Sequence, residues 1–229
     1  MNLWQPLTST IEMFVSGIRA ANGDPEAWEP SIRRFEAQDR LQPPPADAIL
    51  FTGSSSFTFW STLDRDMLPL PVLNRGFGGA RIQDVVHYAP RCVLPYHPRA
   101  VVLFAGTNDI AEPRPATAQQ VFDGYRAFVE TVHAALPAVP IYYVSITPTP
   151  LRLKLWPIAD EANRRIAACA QTDPRLRYID LTSPLLTTDG LPDRRLYKFD
   201  RLHPNARGYA VWTSVIKPRL RADLFPTTA

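Results

Sequence analysis

The 229-residue chain is poor in cysteine and histidine. Cys92 and Cys169 lie too far apart for a Cys-x-x-Cys pair or a zinc spacing. Both fall in helical patterns, which marks them as ordinary buried thiols. No run approaches the roughly 18 apolar residues of a membrane span. The N-terminus has no basic region, and Ile11–Val15 is too short and too acidic for a signal core. A cytoplasmic location is the resulting expectation. Basic residues never run beyond pairs (Arg33-Arg34, Arg164-Arg165, Arg194-Arg195), so a net charge of +3 offers no clustered footprint for nucleic acid. Gly-x-x-x-x-Gly-Lys is missing, which argues against a P-loop. Gly-x-Ser-x-Gly is missing too, because Phe57 stands where its last glycine belongs. Helical pairs of histidine and carboxylate are also lacking, so neither a metal nor a cofactor is expected.

What is present suits one globular α/β domain over 1–229, with 45% hydrophobic and 21% charged residues. Residues 1–45 read as a helical extension packed on it. Helices are expected over 7–21 and 25–40, the second with Asp24 and Pro25 at its start and Trp28, Ile32 and Phe35 on one side. Pro43-Pro44-Pro45 is a stiff extended connector.

Five apolar runs read as strands: 49–51, 72–75, 99–105, 140–146 and 176–181. Helical patterns follow them over 81–93, 117–136, 158–171 and 204–221, with Pro204 in the first turn of the last. This alternation predicts a three-layer, doubly wound α/β sandwich on a mostly parallel five-stranded sheet. Ligands in such sheets bind at the carboxyl ends of the strands. Three unusual turns belong there: Gly53-Ser54-Ser55-Ser56, Gly76-Phe77-Gly78-Gly79 and Gly106-Thr107-Asn108-Asp109.

A serine after a strand and before a helix places a hydroxyl beside free helix amides, a suitable setting for an oxyanion. Serine needs a base, usually histidine, whose other ring nitrogen is held by a carboxylate. Asp200 and His203 supply both from one turn. His87 and His133 lie within helices and His97 precedes a strand, so His203 is the best placed of the four. The aromatic residues Phe57, Trp60 and Phe199 read as core, and Phe77 as a wall of a substrate pocket. Asp109 reads as a structural cap. Arg75, Arg81 and Arg201 adjoin the motifs but read as structural or solvated.

Taken in order, these four blocks resemble the SGNH (GDSL-like) hydrolases, and the resemblance runs from about Ile49 to Arg219. It implies a flavodoxin-like fold and a serine esterase. By that resemblance Ser55 is the nucleophile, His203 the general base and then acid, and Asp200 its orienting partner. The oxyanion hole would comprise the backbone amides of Ser55 and Gly79 and the Asn108 side chain. The chain departs from the family at Ser54, where aspartate usually stands. That leaves Ser54, Ser55 and Ser56 as alternatives, and aligning Gly53 with the family glycine selects Ser55.

The expected activity is hydrolysis of short-chain acyl esters of small molecules, including acetylated sugars, through an acyl-enzyme. An acyltransferase sharing that intermediate and a non-catalytic anion- or glycan-binding module stay open as alternatives. Neither a nucleic-acid partner nor a membrane span is expected, and a homo-oligomer is left open.

Overall fold

The computed structural model describes residues 15–19, 24, 26–111 and 113–226. Five strands form one sheet: β1 (Ile49–Gly53), β2 (Val72–Gly76), β3 (Ala100–Phe104), β4 (Ile141–Val144) and β5 (Leu176–Ile179). Their order is β2-β1-β3-β4-β5, and every pairing is parallel. The chain winds outward in one direction from β1 and in the other from β3. The crevice between those two strand ends is therefore the topological switch point, where such sheets bind ligands.

Strand side chains alternate between two cores. Leu50, Val101, Leu103 and Tyr143 face one layer, which is built from α1 (Glu29–Leu41), α4 (Ile82–Cys92), α5 (Ala118–Ala135) and α6 (Trp156–Ala170). Phe51, Val102, Phe104 and Tyr142 face the other, built from α2 (Ser55–Thr58), α3 (Leu63–Met67) and α7 (Ala206–Leu224). β1 and β3 are buried along their whole length, which explains their unbroken apolar runs. The three-layer doubly wound fold is the one expected.

Several boundaries move. Helix α1 begins at Glu29 with Pro30 in its first turn, whereas Asp24 lies ahead of it and accepts the Glu26 amide. Residues 15–19 are helical, while the rest of the helix expected over 7–21 lies outside the described residues. Helix α7 starts at Ala206 because the Asn205 side chain accepts the Arg207 and Gly208 amides. Pro204 lies before that cap and bridges to Tyr197, so it is not in the first turn. Thr117 caps α5 in a reciprocal box with Gln120. Cys92 is buried and Cys169 half-buried, and both are free thiols. Among the described residues no helix is long and apolar enough to cross a membrane.

Candidate active site

The serine turn follows from one backbone conformation. Gly53 ends β1 at φ 134°, and a Cβ there would lie 2.0 Å from the Phe104 carbonyl oxygen of β3. Only glycine fits so close to a neighbouring strand in that conformation. The Ser54 amide then donates to the same carbonyl at 3.0 Å, and Ser54 becomes the N-cap of α2. Asn74 fixes this helix to β2, donating to the Phe57 carbonyl at 2.7 Å and accepting the Gly76 amide at 2.9 Å.

The three serines are thereby separated. The Ser54 hydroxyl is enclosed and has no hydrogen-bond partner among the described residues. Ser56 is buried, and its carbonyl accepts the Tyr209 hydroxyl. Ser55 Oγ lies 2.8 Å from His203 Nε2, across 148 residues of sequence.

Asp200 and His203 sit on a loop closed by the Tyr197–Pro204 bridge and by Lys198, whose amide donates to the His203 carbonyl at 2.7 Å. Arg201 supports the reversal with a positive φ of 60°. His203 Nδ1 lies 2.7 Å from Asp200 Oδ2. The other oxygen of Asp200 accepts the Leu202 and His203 amides at 2.9 and 3.0 Å. Burial opposes the Asp200 charge, but the His203 amide and ring and the Leu202 amide outweigh it and hold its pKa below the ordinary value. For His203, burial disfavours the imidazolium and Asp200 favours it. Lys198 and Arg152 oppose it further, so its pKa lies below the ordinary 6.5. The Phe59 ring meets the imidazole edge-on at 4.7 Å, and Lys198 lies over the same ring.

Gly79 takes φ 83°, and a Cβ there would press on the Trp28 ring at 2.9 Å. Asn108 leaves β3 at the opposite side of the switch point. Its Nδ2 donates to the Ala80 carbonyl at 3.0 Å, which ties it to the glycine turn. Its Oδ1 accepts from Arg152 at 3.1 Å. Asp109 points away and accepts the Ile82 amide at 3.1 Å, capping α4 as the sequence suggests. Burial raises its pKa to about 6.

Phe77 borders a cavity with Ser31, Phe35, Thr58 and Asn74, one that neither Ser55 nor His203 lines. Its ring is 1% exposed and packs between Trp28 and Tyr88, because the side chain projects into the layer beneath the glycine turn. Phe199, expected in the core, is instead fully exposed beside Asp200. Phe57 and Trp60 are core, as expected. Arg75 is buried against Asp39 and the Tyr96 hydroxyl, a structural contact. Arg152 carries no motif in the sequence. Its one signal is its position in a loop after a strand's carboxyl end.

This is an α/β protein with a hydrogen-bonded serine–histidine–aspartate chain at the carboxyl edge of its sheet. A model of the GDSL-like Lipase/Acylhydrolase family matches residues 46–211. The chain belongs to that family and is an ester hydrolase. A search of the curated proteins gives no match. Among solved structures, a GDSL-like lipase from Bacteroides thetaiotaomicron is similar at 20% identity and TM-score 0.70, with 84% of this chain and 98% of that one covered. A lipase/acylhydrolase from Enterococcus faecalis aligns at 20% identity and TM-score 0.61, over 80% and 100%. A carbohydrate esterase family 3 protein from Talaromyces cellulolyticus does so at 18% and 0.56, over 80% and 100%.

Proposed function

We propose that the protein is a carboxylesterase or deacetylase that cleaves short-chain acyl esters through an acyl-enzyme on Ser55. The observation that carries this reading is the continuous chain Ser55 Oγ–His203–Asp200, at 2.8 and 2.7 Å. His203 takes the Ser55 proton as Oγ attacks the ester carbonyl. Asp200 holds the imidazole in the tautomer whose Nε2 is free to accept. The tetrahedral oxyanion is received by the Ser55 and Gly79 amides and by Asn108 Nδ2. His203 returns the proton to the leaving alkoxide, and water, deprotonated in turn by His203, releases the acid. The similarity to a carbohydrate esterase favours acetylated sugars among the substrates to try first.

A fluorophosphonate probe tests the reading directly. Covalent labelling and hydrolysis of nitrophenyl acetate are expected to vanish in Ser55→Ala. Both should persist in Ser54→Ala, which deletes an enclosed hydroxyl with no partner among the described residues. Labelling retained in Ser55→Ala would move the nucleophile elsewhere. Nitrophenyl esters of rising chain length then set the acyl preference, and product analysis with an added alcohol separates hydrolysis from acyl transfer.

A further inference from the structure

We propose that Arg152 is a positioning residue of the oxyanion hole, its guanidinium bridging Thr107 and the Asn108 carboxamide so that Asn108 Nδ2 is aimed at the oxyanion formed on Ser55. The inference rests on the reading of Ser55 as nucleophile.

Arg152 lies in the loop after β4. Its Nη1 donates to the Thr107 carbonyl at 2.6 Å and to the Thr107 hydroxyl at 2.8 Å, and its Nη2 donates to Asn108 Oδ1 at 3.1 Å. A guanidinium only donates, so it accepts one orientation of the carboxamide, with oxygen toward Arg152 and NH₂ away from it. One hydrogen of that NH₂ goes to the Ala80 carbonyl. The other is left for a ligand. The planar fork spans two successive residues of the turn, which a lysine ammonium cannot reproduce.

Arg152 makes no salt bridge among the described residues, although it is only partly exposed. Burial pushes its pKa down to about 10, and the nearby Asp109 opposes that shift. The loop that carries Arg152 is tied to the triad loop. The Leu151 amide donates to the Arg201 carbonyl at 3.0 Å, and the Tyr197 hydroxyl donates to the Pro148 carbonyl at 2.7 Å. Arg152 thus joins the loops bearing Asn108 and His203.

The test is steady-state hydrolysis of nitrophenyl acetate by Arg152→Met, Arg152→Lys, Asn108→Ala, the double variant Asn108→Ala/Arg152→Met and Ser55→Ala. Losing an oxyanion donor costs on the order of 10²–10³ in kcat, the loss expected for Asn108→Ala. Arg152→Met is expected to lower kcat roughly ten- to a hundred-fold through misplacement of that donor, with KM little changed. In the Asn108→Ala background the same change should cost roughly threefold or less, because its target is already gone.

The charges acting on His203 are Asp200, Lys198 and Arg152. Removing the last should shift the acid limb of kcat/KM upward in Arg152→Met. Arg152→Lys, which keeps the charge and loses the fork, should lower kcat without that shift. Unchanged kcat in Arg152→Met, or a full multiplicative loss in the double variant, would overturn the inference. If Arg152→Met fails to fold, the same cycle is read with Arg152→Lys. Activity lost in Ser55→Ala and Asn108→Ala but intact in the Arg152 variants removes this inference alone. Activity kept in Ser55→Ala removes the nucleophile and this inference together.

Discussion

The two hydrogen bonds of His203 place opposite demands on its ring. Nε2 must be unprotonated to accept from Ser55, whereas Nδ1 must carry the proton that Asp200 receives. Burial keeps the ring neutral, and Asp200 pulls the other way. Activity should therefore be lost as pH falls through a His203 pKa below 6.5, so the acid limb of kcat/KM is expected beneath that value. Asp200→Asn removes an influence that raises the His203 pKa. The limb should then move to still lower pH, while kcat falls on the order of 10²–10⁴ as the tautomer is no longer held. A pH profile of both proteins with nitrophenyl acetate measures this. A limb moving upward in Asp200→Asn would show that Asp200 is not the group setting the charge of His203.

The strand-to-helix turn after β1 is an element whose geometry depends on a single residue. At Gly53 both the positive φ of 134° and the 2.0 Å approach to the Phe104 carbonyl forbid a side chain. The obstacle is backbone in the middle of the sheet, so it cannot swing aside. Gly53→Ala is expected to destabilise the fold by on the order of 3–4 kcal/mol or more, read from the urea midpoint. Gly190→Ala is the control. It has φ 74° but open space around its Cβ position, so only the left-handed penalty of about 1 kcal/mol applies. The Gly53–Ser55 turn was legible in the sequence because a buried strand, a glycine and a run of serines each leave a local signature, although the Ser54 side chain makes no cap bond. The Asp200–His203 loop carries a weaker signature, since an isolated Asp-x-x-His is commonly a cap, and it gains meaning from following the other three blocks in order. At Phe77 the sequence is ambiguous, because a ring beside a glycine turn looks the same whether it faces a ligand or the core. Phe199 is ambiguous too, since a loop gives an aromatic no period to reveal its direction. Arg152 was invisible because its meaning lies in a contact with Asn108, 44 residues away.

At the scale of the molecule, the candidate site draws on both cores. Ser55 opens α2 and His203 lies just ahead of α7 on one side of the sheet, whereas the glycine turn rests on the layer containing α1. Trp28, ahead of α1, is fully buried in that layer, with its ring 6.0 Å from Phe77 and against the Cα side of Gly79. The N-terminal segment thus forms the floor beneath one proposed oxyanion donor. Trp28→Ala is expected to cost roughly 3–5 kcal/mol from the cavity it leaves, seen as a lower urea midpoint. Under native conditions it should also lower kcat by on the order of tenfold at nearly constant KM, because a loosened Gly79 amide weakens transition-state binding rather than substrate binding. Trp28→Phe refills part of the volume and should recover part of both losses. If Trp28→Ala were destabilised yet kept its full kcat, the glycine turn would be held by its own bonds to Asn108 and β1. Coupling of the N-terminal segment to the chemistry would then be absent.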